Sequence, residues 1–146
     1  MIESILIVCT GNICRSPMAE GYLRMQLPML RIESAGVDAV VGGAADPLAQ
    51  VATAASGIDI ASHRARQFES WMGRNYDLIL AMERSQRLHI EKVAPFSRGK
   101  VFLFGAQGTE IEDPYRGGLD KFQFIYSQIE QHGAFWLGKL RRMGIP

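Results

Sequence analysis

The residues that decide the fold lie near the start of the chain, where Ile5-Leu6-Ile7-Val8 is followed by Cys9-Thr10-Gly11-Asn12-Ile13-Cys14-Arg15-Ser16-Pro17. Four apolar residues, three of them β-branched, predict a short buried strand. Gly11 permits the backbone angles of a tight loop. Ser16 followed by Pro17 is typical of a helix start, with serine as the N-cap and proline in the first helical position. The stretch therefore predicts a strand, a small loop and a helix start.

This arrangement would place a cysteine and an arginine around one anion-binding cradle. The backbone N–H groups of a loop that runs into a helix point toward one spot, and the helix dipole adds positive potential there. Arg15 carries a planar fork of donors that suits two phosphate oxygens at once. Cys9 would lie at the floor of the cradle, where this potential and the Ser16 hydroxyl favour the thiolate. A thiolate that faces a bound phosphorus atom is a nucleophile in position for phosphoryl transfer.

The pattern C-x5-R-S at a strand-to-helix turn is the signature of the cysteine-dependent phosphatases. The stretch from Val8 to Pro17 resembles the phosphate loop of the low-molecular-weight protein tyrosine phosphatases, which also carry it at the extreme N-terminus. The family has a Ser-Ala-Gly motif that corresponds to Ser34-Ala35-Gly36. The resemblance covers almost the whole chain, and its specific parts are the loop and an Asp-Pro-Tyr motif described below.

Strand and helix patterns alternate along the rest of the chain. Strands are predicted over 5–8, 31–35, 76–82 and 100–104, and helices over 16–27, 46–56, 67–73, 83–93 and 119–142. This alternation predicts a single α/β domain over 1–146, with a parallel sheet and helices on both of its faces. The resemblance implies a three-layer αβα fold with a four-stranded sheet in the order 2-1-3-4 and a phosphate-binding loop after strand 1.

Composition excludes several other classes of protein. The formal net charge of +1 gives no reason to expect nucleic acid as a partner, and no apolar run is long enough to span a membrane. The two cysteines lie in one loop and make no disulfide framework, and the three histidines are scattered. We therefore expect a cytoplasmic protein that needs no metal and no cofactor.

Asp113-Pro114-Tyr115 is the candidate source of the acid that the reaction needs, because a phosphate ester of tyrosine leaves as a phenolate. The family carries Asp-Pro-Tyr in the loop before its last helix, and the motif has the same place here. The resemblance implies that Cys9 attacks phosphorus while Asp113 protonates the leaving oxygen. Asp113 then acts as the base for the water that hydrolyses the phosphocysteine. The expected catalytic residues are Cys9, Arg15 and Asp113.

The remaining site residues are expected around the same cradle. Arg15 and the loop amides would hold the phosphate oxygens, and Asn12 would tie the loop together through its side-chain amide. Tyr115 would form one wall of a deep slot, and the loop near Val40 and Val41 is a hypothesis for the other wall. The residues expected to bind phosphate or support the thiolate are Thr10, Gly11, Asn12, Ile13, Cys14 and Ser16.

Two residues of the sequence leave alternatives open. Cys14 is either a small hydrophobic side chain under the loop or, as the family suggests, a redox partner that captures oxidised Cys9 in a reversible disulfide. The two roles are compatible. His63 has the chemistry of a base for a cysteine nucleophile, but the phosphatase interpretation needs no histidine, and we expect a structural or surface role.

Three rival functions differ from tyrosine phosphatase in recognisable ways. Arsenate reductases of this fold relay oxidation through further cysteines, and none follows Cys14. Protein-arginine phosphatases tend to carry a polar residue where Ile13 stands. A catalytically inactive phosphoprotein-binding module would be expected to lack Cys9, Arg15 or Asp113. The sequence favours an enzyme that hydrolyses protein phosphotyrosine.

Two stretches, Gly43 to Pro47 and Asn75 to Leu80, resemble the bacterial branch of the family. Several bacterial members act on tyrosine autokinases that control the export of capsule or exopolysaccharide. The resemblance therefore implies a phosphotyrosine protein as the partner, with such an autokinase as the candidate, and we expect a monomer.

Overall fold

Four strands alternate with helices in the computed structural model, which describes residues 1–146. The strands are β1 (Ser4–Cys9), β2 (Arg31–Gly36), β3 (Leu78–Ala81) and β4 (Val101–Leu103). The α-helices are α1 (Arg15–Gln26), α2 (Pro47–Ala54), α3 (Met72–Asn75), α4 (Arg84–Val93) and α5 (Leu119–Arg142). Short 3₁₀ helices span Pro95–Lys100 and Ala106–Gly108.

The strands form one parallel sheet in the order β2-β1-β3-β4. This confirms the predicted α/β fold and the order that the family resemblance implied. At the carboxyl end of β1, Cys9 pairs with Gly36 of β2, and Val8 pairs with Ala81 of β3. Because β1 connects to β2 on one side and the chain then crosses to β3 on the other side of β1, the loop after β1 lies at the topological switch point, where α/β sheets bind ligands.

Alternate residues of β1 face two separate hydrophobic cores. Ile5, Ile7 and Cys9 belong to a larger core of 28 buried residues that includes apolar side chains of α1, α2 and α5. Leu6 and Val8 belong to a second core of 12 residues with side chains of α3 and α4. A strand that is buried on both faces in this way reads as a continuous apolar run, which is why 5–8 carries no polar residue. The helices therefore cover both faces of the sheet, and the three-layer prediction is confirmed.

The last helix, α5, agrees with its predicted bounds of 119–142. Its buried face repeats at helical spacing and packs against α1 and α2. None of the helices has the length and apolar character that crossing a lipid bilayer requires.

The predicted helix over 67–73 is wrong. Residues 66–68 instead run beside the end of β2, where Gly36 N–H donates to the Arg66 carbonyl and Phe68 N–H donates to the Gly36 carbonyl. The Phe68 ring is buried in the second core. Because this segment pairs with β2, no helix forms at 67–71. The helix of this region, α3, spans only Met72–Asn75.

Ser16 is not the N-cap of α1, contrary to the prediction. The helix begins at Arg15, and Cys14 occupies the N-cap position without a side-chain cap. The Ser16 hydroxyl bonds to the side chains of Cys9 and Asn12 instead of capping a backbone N–H group. The first turn of the helix is therefore built into the loop. The helix expected from residue 46, by contrast, is capped by the Asp46 side chain as predicted.

The packing of α5 on α1 leads to a testable prediction about two glycines. A Cβ at Gly133 would lie 2.5 Å from the buried Tyr22 ring, whereas a Cβ at Gly138 would meet nothing closer than the Arg142 guanidinium at 3.4 Å. Alanine stabilises a helix interior relative to glycine by roughly 0.5–1 kcal/mol, while overpacking a core costs about 1–3 kcal/mol.

We expect Gly133→Ala to lower the free energy of unfolding by about 1–2 kcal/mol, and the matched Gly138→Ala to leave it unchanged or raise it slightly. Urea denaturation of both variants beside the wild type measures the difference. An equal effect of the two substitutions would contradict the close packing of α5 on Tyr22.

Candidate active site

The strand-to-helix connection places Cys9 at the end of β1 and Arg15 at the start of α1. Both side chains are buried, with 2% of Cys9 and 1% of Arg15 exposed. Gly36, the last residue of β2, lies against this connection, and a Cβ there would be 2.3 Å from the Thr10 carbonyl oxygen. Glycine is therefore required at the end of Ser34-Ala35-Gly36 for the loop to pack on the sheet.

Asn12 holds the loop from within, although its backbone is in the left-handed region with φ of 58°. Its side chain is fully buried. Nδ2 donates to the hydroxyl oxygens of Ser16 (2.8 Å) and Ser34 (3.0 Å), and Oδ1 accepts from the Arg66 N–H (2.9 Å). Asparagine tolerates this conformation better than most residues, and its amide supplies both donor and acceptor. Asn12 thus joins the loop to α1, to β2 and to the segment before α3.

His63 supports the same residue from outside the loop. Its Nε2 lies 2.6 Å from the Asn12 carbonyl oxygen. A carbonyl can only accept, so Nε2 carries the hydrogen and donates it. The predicted structural role agrees with this contact, but no pattern around His63 indicates that the loop after β1 is the segment it supports.

The hydrogen bonds of Ser16 identify its hydroxyl as a donor to Cys9. The Ser16 oxygen accepts from Asn12, and it lies 2.9 Å from Cys9 Sγ. Because a hydroxyl has one hydrogen and its oxygen already accepts here, the Ser16 O–H is free to point at the sulfur. This is the donor that a nucleophilic thiolate needs.

Arg15 is held by two groups that lie on other parts of the chain. One terminal nitrogen donates to Glu83 Oε2 at 2.8 Å and to the Ile111 carbonyl oxygen at 2.7 Å. The other lies 3.6 Å from Asp113 Oδ2, and Nε has no partner within the protein. The guanidinium is therefore fixed on one edge and retains donors for the oxygens of a phosphate group.

The sequence interpretation missed Glu83 and Gln86 as parts of this site. Glu83 precedes α4 and pairs with Arg15, and Gln86 bonds to Thr10 of the loop. Glu83 and Gln86 form a capping box at the start of α4, and the sequence predicts only a helix over 83–93 there, with no part in the site. Since β3 neighbours β1, polar side chains at its carboxyl end were candidates for the site.

Asp113 and Tyr115 lie beside the loop, on the segment before α5. The Asp113 carboxylate accepts a hydrogen bond from the Tyr115 N–H at 3.0 Å, which folds the motif into a turn. The Asp113 side chain is 45% exposed. The Arg116 guanidinium lies 5.6 Å from the centre of the Tyr115 ring, and Arg116 has a left-handed φ of 69°. The acid motif is therefore more exposed than the loop that it faces.

Cys9, Arg15, Asp113 and Tyr115 open onto one cavity of about 200 Å³. Val40 lines the cavity, as hypothesised for a second wall, but Val41 is 72% exposed and is not part of the lining. Asp38 contributes a carboxylate that was not predicted. The other lining residues are Thr10, Gly11, Ile13 and Cys14. The cavity therefore combines a buried sulfur and a guanidinium with apolar walls.

Cys14 lines this cavity and is not bonded to Cys9. Burial raises the pKa of the Cys14 thiol far above its ordinary value, and the nearby Asp46 carboxylate raises it further. The thiol therefore stays protonated at neutral pH. A protonated thiol packs as a small apolar side chain and is a weak nucleophile.

Comparison with known proteins agrees with this geometry. Residues 4–144 match the family model described as "Low molecular weight phosphotyrosine protein phosphatase". The chain is 44% identical to the low molecular weight protein-tyrosine-phosphatase Etp of Escherichia coli K12 over 142 residues, which is 96% of each protein.

Two solved structures have the same fold. The tyrosine phosphatase Wzb from Escherichia coli K30, in complex with sulphate, superposes with a TM-score of 0.92 at 44% identity, over 96% of this chain and 99% of that one. The YwlE arginine phosphatase from Geobacillus stearothermophilus superposes with a TM-score of 0.90 at 31% identity, over 96% and 94% of the two chains. The family model matches almost the whole chain, and the tyrosine phosphatases are more similar to it in sequence than the arginine phosphatase is. The chain belongs to the low molecular weight phosphotyrosine protein phosphatases.

Proposed function

We propose that this chain hydrolyses protein phosphotyrosine with Cys9 as nucleophile, Arg15 as phosphate ligand and Asp113 as general acid and base. The observation that supports this assignment is the single cavity that these three side chains share. Arg15 pairs with both Glu83 and Asp113 within 4 Å, so the phosphate ligand and the acid lie side by side.

The first step transfers the phosphoryl group to the enzyme. Cys9 Sγ attacks phosphorus in line, the bond from phosphorus to the phenolic oxygen breaks, and the Asp113 proton moves to that oxygen. The loop N–H groups and Arg15 hold the three equatorial oxygens, whose charge they stabilise throughout the displacement.

The second step returns the enzyme to its starting state. Water attacks the phosphocysteine, its proton passes to Asp113, and the bond between phosphorus and sulfur breaks. Inorganic phosphate leaves and the Cys9 thiolate is regenerated with the Ser16 hydroxyl beside it. Asp113 is then protonated again for the next cycle.

The shape of the cavity supports an aromatic phosphate ester as the substrate. Cys9 is buried at 2% exposure, so a phosphate must enter deeply before it meets the sulfur. Tyr115, Val40 and Ile13 provide apolar walls that suit a phenyl ring. A serine or threonine phosphate is too short to place phosphorus at this depth with its peptide outside.

We further propose that the physiological partner is a tyrosine autokinase linked to exopolysaccharide export. The support is the resemblance to the bacterial branch, together with the identity to Etp and the likeness to Wzb. The cytoplasmic location, the monomeric state and the lack of a cofactor requirement stay predictions.

The catalytic assignment is tested with para-nitrophenyl phosphate and with phosphotyrosine, phosphoserine and phosphoarginine peptides, without added metal. We expect hydrolysis of the phenolic esters alone. Cys9→Ser should abolish turnover, and Asp113→Asn should lower kcat by about 10²- to 10⁴-fold because a proton donor is lost.

Asp120→Asn is the matched control, since Asp120 is an acidic residue of the first turn of α5 that makes no ion pair with a site residue. Its kcat should equal that of the wild type. Activity that survives Cys9→Ser would contradict the mechanism, and preferential hydrolysis of phosphoarginine would favour the arginine-phosphatase alternative.

A second prediction concerns the proposed redox role of Cys14. Peroxide would oxidise the Cys9 thiolate to a sulfenic acid, and attack by Cys14 sulfur would then form the disulfide and release water. Because burial raises the pKa of Cys14, disulfide formation should become faster as the pH rises from 6 to 9.

The measurement is the fraction of each protein's own starting activity that dithiothreitol restores after peroxide treatment. Wild type should recover most of its activity, and Cys14→Ser should recover much less because Cys9 continues to irreversible oxidation states. Equal recovery would show that Cys14 serves only in packing.

A further inference from the structure

Gln86 is a fully buried polar side chain that lies outside every sequence motif of the phosphate site. It belongs to the first turn of α4, and only 1% of it is exposed. Its amide makes four hydrogen bonds. Oε1 accepts from the N–H groups of Met82 and Glu83, at 2.9 Å each. Nε2 donates to Thr10 Oγ1 at 3.1 Å and to Glu83 Oε2 at 3.2 Å.

The orientation of this amide is fixed by its surroundings. If the oxygen and nitrogen were exchanged, the amide N–H groups would face the N–H donors of Met82 and Glu83. Only the observed orientation gives every group a partner. Gln86 must therefore present its two N–H donors to Thr10 and Glu83.

These two partners belong to different parts of the phosphate site. Thr10 directly follows Cys9, and its carbonyl is also held by the Asp38 N–H at 3.0 Å. Glu83 Oε2 is the same oxygen that accepts from Arg15 at 2.8 Å. Gln86 is thus the one side chain bonded both to the phosphate loop and to the carboxylate that orients Arg15.

We propose that Gln86 is a positioning residue for phosphoryl transfer, which sets the Glu83 carboxylate against Arg15 and fixes the start of the phosphate loop. The inference rests on the proposed function of Arg15 and the loop. Gln86 touches neither the substrate nor the reacting atoms. It acts through Thr10 and Glu83, and it holds the guanidinium and the loop at one fixed separation.

A simpler role for Gln86 would be to cap α4. The cap uses only Oε1 of Gln86, because the backbone N–H groups of Met82 and Glu83 bond to that atom. The hydrogen bonds that Nε2 donates to Thr10 and Glu83 do not contribute to the cap. The two roles can therefore be separated by removing the donors while an acceptor stays in place.

Gln86→Glu makes this separation, since glutamate is itself a usual residue at this position of a capping box. It keeps an oxygen for Met82 and Glu83 N–H, removes both donors and sets a second carboxylate beside Glu83. We expect kcat/KM for para-nitrophenyl phosphate to fall about 10- to 100-fold, because small displacements of positioning groups have effects of this size. The competitive inhibition constant of inorganic phosphate should rise about tenfold or more, because Arg15 binds the ion.

Thr10→Val provides a second test that leaves the cap intact. Valine has the shape of threonine and removes only the oxygen that Gln86 Nε2 meets. As in Gln86→Glu, kcat/KM should fall and the inhibition constant of inorganic phosphate should rise. Gln50→Glu is the matched control, because Gln50 is a first-half residue of α2 whose amide bonds to the Ala45 carbonyl and to no site residue. Its kinetics should equal those of the wild type.

Thermal unfolding establishes which variants are folded at the assay temperature. If Gln86→Glu is folded and its phosphate inhibition constant matches the wild type, the positioning role is overturned. If Gln86→Glu does not fold, Thr10→Val decides alone, and unchanged phosphate inhibition again overturns the role. A wild-type protein that hydrolyses no phosphate ester would contradict the proposed function itself, which separates the two failures.

Discussion

The burial of the Arg15 guanidinium is the constraint on which the site depends. Only 1% of this charged side chain is exposed, and an unpaired charge in such a position would be strongly destabilising. The compensation comes from the Glu83 carboxylate and the Ile111 carbonyl, which belong to different segments of the chain. Arg15 can therefore be buried only when β3, α4 and the segment before α5 are already in place around β1.

The sheet order explains how the loop is held from two sides. On the β2 side, Asn12 bonds to Ser34, whose hydroxyl donates to Glu20 at 2.5 Å. On the β3 side, Thr10 bonds to Gln86. Because β1 lies between β2 and β3, a loop at its carboxyl end is within reach of polar side chains from both neighbours. The side chains of Asn12 and Thr10 thus have hydrogen-bond partners on the β2 and β3 sides, which favours one loop conformation.

Local sequence signals predicted much of this arrangement. The strand over 5–8, the Asp46 cap and α5 follow from apolar spacing and capping residues, which act within a few positions of one another. The family resemblance supplied the strand order and the acid motif. Local sequence patterns predicted the wrong structure where contacts with residues far away in the sequence determine the local conformation. Residues 66–68 pair with β2, and this contact leaves no mark in the nearby sequence. Ser16 was expected both to cap α1 and to support the Cys9 thiolate, and only the cap is absent, because the hydroxyl bonds to Cys9 and Asn12. Gln86 and His63 were missed as supports for the same reason.

The segment that carries Asp113, the proposed acid, is anchored by the guanidinium of Arg15, the proposed phosphate ligand. Ile111 is buried, its N–H donates to the Met82 carbonyl, and its own carbonyl accepts from Arg15. Asp113 follows two positions later, so the chain can carry it no more than about 7 Å from this anchor. Asp113 Oδ2 lies 3.6 Å from the terminal nitrogen of Arg15 that does not bond to Glu83, so the proposed acid and the proposed phosphate ligand are adjacent. In the proposed mechanism the same short tether keeps the carboxylate beside the phosphocysteine, where the attacking water needs a base. One buried arginine would thus orient the phosphate and keep the proposed acid within reach for both steps.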